Sequence, residues 1–132
     1  MSILQLGGEE IYRDNEKPPK APTSITIAED LDRYRELEVF GCTNEWVRCS
    51  CRLFRPINAG STYVWDSCHF VLQAQAISSG HVYQRWVNWT ISQTASGAKF
   101  TPEHWRETDF GDSGCSTYGG SGIQIVRISG WA

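Results

Sequence analysis

Gly122-Ile123-Gln124-Ile125-Val126-Arg127-Ile128-Ser129-Gly130-Trp131-Ala132 closes the chain. The run is apolar and alternating almost to its last residue, whereas C-terminal tails are usually polar and mobile. It therefore predicts a strand buried against something: the middle of a sheet, or the seam of an assembly. A strand this apolar fits poorly at the open edge of a lone subunit.

The same period of two recurs upstream. From Arg35, Leu37, Val39 and Gly41 fall on one face, with Glu36 and Glu38 on the other. Between Glu45 and Phe54, Val47, Cys49, Cys51 and Leu53 point inward, while Trp46, Arg48, Ser50 and Arg52 point outward. Ser67 to Ile77 repeats the pattern with Cys68, Phe70, Leu72, Ala74 and Ala76 inward, and Val82 to Ile91 is aromatic on both faces. The segments 56–61 and 78–80 read as turns. Residues 13–22 form a polar, proline-rich loop, because Pro18, Pro19 and Pro22 forbid helix and central strand alike. Thr23 to Ile27 alternates. Ala28 to Tyr34 then suits one short helical turn, with Leu31 and Tyr34 inward at i, i+3. Residues 106–122 hold five of the twelve glycines and read as a long, flexible loop; such loops are commonly functional. Short strands at even spacing with almost no helix predict an all-β fold. The expected form is an antiparallel β-sandwich, jelly-roll-like, with at most one helical turn near 28–34.

A chain of 132 residues predicts a single domain spanning 1–132, with one core. The net charge is −3 and charged residues are 20%, which gives no attraction to phosphate polymers and argues against nucleic acid. Met1 to Leu6 lacks the basic start and apolar core of a signal peptide, and no run reaches the ~20 residues of a membrane span. Synthesis in a reducing cytoplasm is expected, with the five cysteines as free thiols. Cys49, Cys51 and Cys68, on inward faces, should be buried and slow to react.

No constellation for catalysis stands out. Cys49-Ser50-Cys51 has no second pair at zinc-ribbon spacing, and His69, His81 and His104 share no ligand spacing. Asp109 and Asp112 could supply the two carboxylates of a glycosidase, but loop aspartates usually shape turns. Gly111-Asp112-Ser113-Gly114 matches the nucleophile segment of trypsin-like proteases without the other segments such an enzyme needs. No phosphate-binding glycine loop is present. No catalytic residue, metal ligand or cofactor is assigned.

The informative residues are aromatic and planar. Six tryptophans are more than one small core holds, and nine of the twelve cationic residues are arginine. Flat rings lie under the apolar faces of sugars, and guanidinium groups reach hydroxyls or carboxylates; subunit seams use the same residues. Trp46, Trp65, Trp86 and Trp105, with Arg48, Arg85 and Arg106, are the candidate binding residues, and Trp105 is the expected anchor.

Two phrases carry a family resemblance. One is Ser24-Ile25-Thr26-Ile27-Ala28-Glu29-Asp30-Leu31-Asp32-Arg33-Tyr34-Arg35-Glu36-Leu37-Glu38-Val39; the other is Ile123 to Trp131. Together they resemble the C-terminal β-domain of phage tail-fibre and tail-tip proteins. The middle of the chain matches no motif. The resemblance implies a virion protein that attaches to a host-surface glycan or protein and contacts other virion proteins, with no membrane insertion. It implies a homotrimer, whose seam is expected to include part of Ile123 to Trp131. The alternatives are a capsid-decoration or tail-assembly subunit without a receptor, and a small glycan-active enzyme.

Overall fold

Among the described residues the alternating runs become nine strands: β1 (Glu9–Arg13), β2 (Ile25–Ile27), β3 (Glu36–Cys42), β4 (Arg48–Phe54), β5 (His69–Ser78), β6 (His81–Thr94), β7 (Gly97–Gly111), β8 (Gly114–Tyr118) and β9 (Gln124–Trp131). The computed structural model describes residues 8–57, 62–111 and 114–132, with Ser78, Ser116 and Tyr118 followed in the backbone only. One antiparallel sheet has the order β1-β9-β3-β4; the other runs β2-β7-β6-β5, with β8 also on β7. β2 pairs with Ala98–Phe100 and β8 with Glu107–Gly111, so the two share one edge of β7. The chain passes between sheets at β1–β2, β2–β3, β4–β5 and β8–β9, which gives an all-β sandwich with first and last strands adjacent. The helical content among the described residues is one 3-10 turn, Leu31–Arg33, whose N-cap Asp30 accepts from the Asp32 N–H.

Period-two patterning fills the space between the sheets. Leu37 and Val39 of β3, together with Ile123, Ile125 and Ile128 at and just before β9, meet Phe70, Leu72, Val87, Trp89, Ile91 and Phe100 of the facing sheet. Two glycines mark where this core closes most tightly. A Cβ on Gly41 would lie 2.6 Å from Ile123 Cγ2 and 2.8 Å from Leu72 Cδ1; one on Gly130 would lie 2.5 Å from the Tyr34 ring. The two phrases behind the family resemblance therefore meet: Tyr34 packs on Gly130, and β3 pairs with β9 from Glu36↔Trp131 onward.

β9 lies between β1 and β3. Its inward apolar side chains, Ile125 and Ile128, are covered within the chain, and Val126 and Trp131 are half-buried. The glycine-rich stretch 106–122 is also not one long loop. Residues up to Gly111 finish β7 and Gly114–Tyr118 form β8, because the far edge of β7 offers a ladder to pair with. The connection from Asp14 to Ser24, by contrast, carries no strand, in keeping with its prolines. All five cysteines are free thiols; Cys42 is buried, Cys49, Cys51 and Cys68 are half-buried and Cys115 is exposed. Burial pushes the Cys49 thiol up to about 11 and raises Cys42, Cys51 and Cys68 as well.

Candidate functional site

The turn joining β3 to β4 is built around Thr43, which is fully buried. Its N–H donates to Val47 O at 2.9 Å and its carbonyl accepts from the Trp46 N–H at 3.0 Å. Its hydroxyl accepts from the N–H groups of Glu45 (3.3 Å) and Val47 (3.1 Å). This closure forces Trp46 to φ +67°, the left-handed region. An L-residue there costs ~1–2 kcal/mol, and glycine or asparagine is the usual occupant. Trp46 is nevertheless 54% exposed. A large ring held out in a strained position makes Trp46 a candidate for function.

Trp46 stands at the rim of a groove of about 320 Å³ on the outer face of the four-stranded sheet. Trp46, Arg48 and Cys49 form one wall and Arg13 to Glu16 the other; Phe40 to Cys42 and Val126–Arg127 make the floor. The second wall is fixed by the Asp14 N–H, which donates to Val126 O at 2.8 Å, and by Asp14 Oδ1, which accepts from the Glu16 N–H at 2.9 Å. On the floor the Arg127 guanidinium stacks on Phe40, 4.7 Å from the ring centre. Arg127 Nε lies 3.5 Å from Glu10 but makes no hydrogen bond. Arg13 holds the same carboxylate, and that hydrogen bond keeps Glu10 below the usual carboxylate range. Arg48 is exposed and has no ion pair among the described residues. The groove thus offers an aromatic face, a stacked guanidinium, an open guanidinium and two carboxylates on a single wall.

The turn is braced from the opposite sheet. Arg85 donates through Nε (3.0 Å) and Nη2 (2.8 Å) to Glu107 Oε1, and through Nη2 (2.8 Å) to Glu45 of the turn. The Arg85 and Glu107 side chains are 4% and 6% exposed. Ser121 N–H donates to the second Glu107 oxygen at 3.2 Å. Burial pulls the Arg85 pKa down, and the bonds to Glu45 and Glu107 outweigh it, for a net rise. Its Nη1 has no partner among the described residues.

The seven residues singled out from the sequence separate. Trp46 and Arg48 share the groove. Trp86 and Arg106 sit opposite each other on the outer face of the other sheet, where Trp86 leans on His104 at 5.8 Å. Arg106 Nη1 donates to Trp105 O at 3.1 Å. Two are corrected. Trp65 is core, because the segment before β5 turns inward and its Nε1 donates to Tyr34 O at 3.2 Å. Arg85 falls on the inward parity of β6 and is spent on Glu107 and Glu45. Trp105, the expected anchor, lies away from this groove, half-buried against the core with Nε1 donating to Gly120 O at 3.2 Å.

Arg13, Asp14, Glu16, Phe40 and Arg127 were missing from the sequence-based set, since only the β1–β9 pairing brings the proline-rich loop beside Arg127. One further polar pair, His81 Nδ1 to Asp109 Oδ1 at 2.7 Å, has its ring stacked on Tyr83. Asp112, the other proposed carboxylate, lies outside the described residues. Among the described residues no three His, Cys, Asp or Glu side chains gather as metal ligands. Comparison with protein-family models, with curated proteins and with solved structures finds no match for this chain.

Proposed function

We propose that this chain is a virion protein of a tailed phage that binds a host-surface saccharide in the groove beside Trp46. The observation that carries the reading is Trp46 itself, half-exposed at φ +67° on the rim of a groove lined by guanidinium groups. A subunit serving assembly alone has no use for a strained, half-exposed indole where glycine fits the backbone freely. A pyranose ring presents an apolar face for the indole and hydroxyls for Arg48, Asp14, Asn15 and Glu16. Binding fits better than hydrolysis. A glycosidase needs carboxylates on both sides of the scissile bond, whereas Asp14 and Glu16 share one wall and Asp14 is engaged in shaping its loop. The tail-fibre assignment rests on the two phrases whose residues meet at Tyr34, Gly130 and the β3–β9 ladder.

The test is adhesion of labelled protein to host cells, read by flow cytometry. Wild type should adhere, and Trp46→Gly and Arg48→Ala should not. Adhesion that persists in both variants rejects the groove, and a wild type that adheres to no host surface favours the assembly role.

A further inference from the structure

The edges of the two sheets are not equally defended. β1 carries Glu9, Glu10 and Arg13, β4 carries Arg48 and Arg52, and β2 is only three residues long. β8 has five residues. Charge and shortness are the usual means of keeping an edge from pairing with another chain. β5 has neither. It runs ten residues, His-Phe-Val-Leu-Gln-Ala-Gln-Ala-Ile-Ser, with no charged residue and no proline. Its ladder with β6 is unbroken from His69↔Thr90 to Ser78↔His81, so no bulge twists it away. β6 is its only sheet partner among the described residues. Its outer face exposes Val71 (41%) and Ile77 (79%). A row of exposed or half-buried apolar residues continues from Ile77 through Val82 to Phe110.

In place of the homotrimer that the family resemblance implies, we propose that the β5 edge pairs antiparallel with β5 of a second copy of this chain, joining two five-stranded sheets into one. The sequence of β5 is self-complementary in a single register. With the two-fold axis at Ala74, Val71 lies opposite Ile77 of the second copy, Gln73 opposite Gln75, and Leu72 opposite Ala76. Facing residues share a side of the sheet, so both exposed aliphatic residues cover each other and the glutamines bond across the axis. Moving the axis by one residue to Gln73 sets Ile77 against His69 and Val71 against Gln75, which leaves the apolar residues unmatched. The chemistry that recognises this edge is therefore another β5.

Sedimentation velocity at high micromolar concentration tests it. Wild type should sediment as a dimer, twice 14.9 kDa. The double variant Val71→Lys with Ile77→Lys opposes like charges at both outer pairs and should be monomeric. Val71→Lys with Ile77→Glu opposes unlike charges in the same places and should recover the dimer. Both variants alter exposed side chains, and thermal melts check that they fold. A monomeric or trimeric wild type overturns the proposal. So does an equal mass for the two double variants when both are folded.

Discussion

Replacing Glu107 by alanine should be among the most damaging single changes to this fold away from its apolar core. Its carboxylate takes two hydrogen bonds from Arg85 and one from Ser121 N–H, in a place where both charged side chains are almost sealed from water. Without it Arg85 keeps only Glu45, which is 42% exposed, and a second guanidinium nitrogen joins the already unpartnered Nη1 in lacking a strong acceptor. Breaking a buried pair from one side costs about 3–5 kcal/mol, a large share of the about 5–15 kcal/mol that holds a domain of this size. The double change Arg85→Met with Glu107→Leu removes the stranded charge and should recover most of the loss. Urea unfolding followed by tryptophan fluorescence reads both as shifts in midpoint at constant slope. The same double variant releases Glu45, so the 43–47 turn loses its brace and saccharide affinity should drop while stability returns. A Glu107→Ala variant that loses less than ~1 kcal/mol, or a double variant no better than the single one, refutes the reasoning.

Three further outcomes follow from the packing and the thiols. Gly41→Val should destabilise by about 1–3 kcal/mol in the same urea assay, because its side chain meets Ile123 and Leu72 where the sheets are closest. A thiol reagent in native buffer should modify Cys115 first and the other four slowly, since Cys115 alone is exposed and burial disfavours the other thiolates; simultaneous fast labelling of all five contradicts this. The folded Cys49 thiol sits near 11 against 9.0 for a free one, so the fold favours its neutral form. That contribution is complete below pH 9 and is lost as pH rises toward 11, and the melting temperature of Cys49→Ala should fall less steeply over that window than that of wild type.

The sandwich was legible because burial follows strand parity in β3, β4 and β5 almost residue by residue. Leu31 and Tyr34 likewise take the inward positions of the short turn. Glycine density misled at 106–122: glycine marks a reversal of the chain without revealing whether the arms on either side find a ladder, and here β7 supplies one. The site was legible only in part. Outward parity put Arg48 on an exposed face, whereas Trp46, expected on the same strand, is exposed from the turn before it, and Arg85 and Glu107 look like surface charges until β6 and β7 set them side by side facing inward. One wall of the groove comes from residues 13–16, distant in sequence from Trp46 and brought near only because β9 inserts between β1 and β3. Parity sees one strand at a time and carries no information about which strands become neighbours.

The most direct test of the groove is the affinity of wild type and Trp46→Gly for the best saccharide from a glycan array, measured by calorimetry beside a thermal melt of each protein. Loss of a stacking anchor worth about 2 kcal/mol weakens binding about 30-fold. Glycine at φ +67° relieves backbone strain that offsets the contacts of a half-exposed ring, so stability should stay within about 1 kcal/mol of wild type. An affinity for that saccharide unchanged by Trp46→Gly, in a folded protein, contradicts the account.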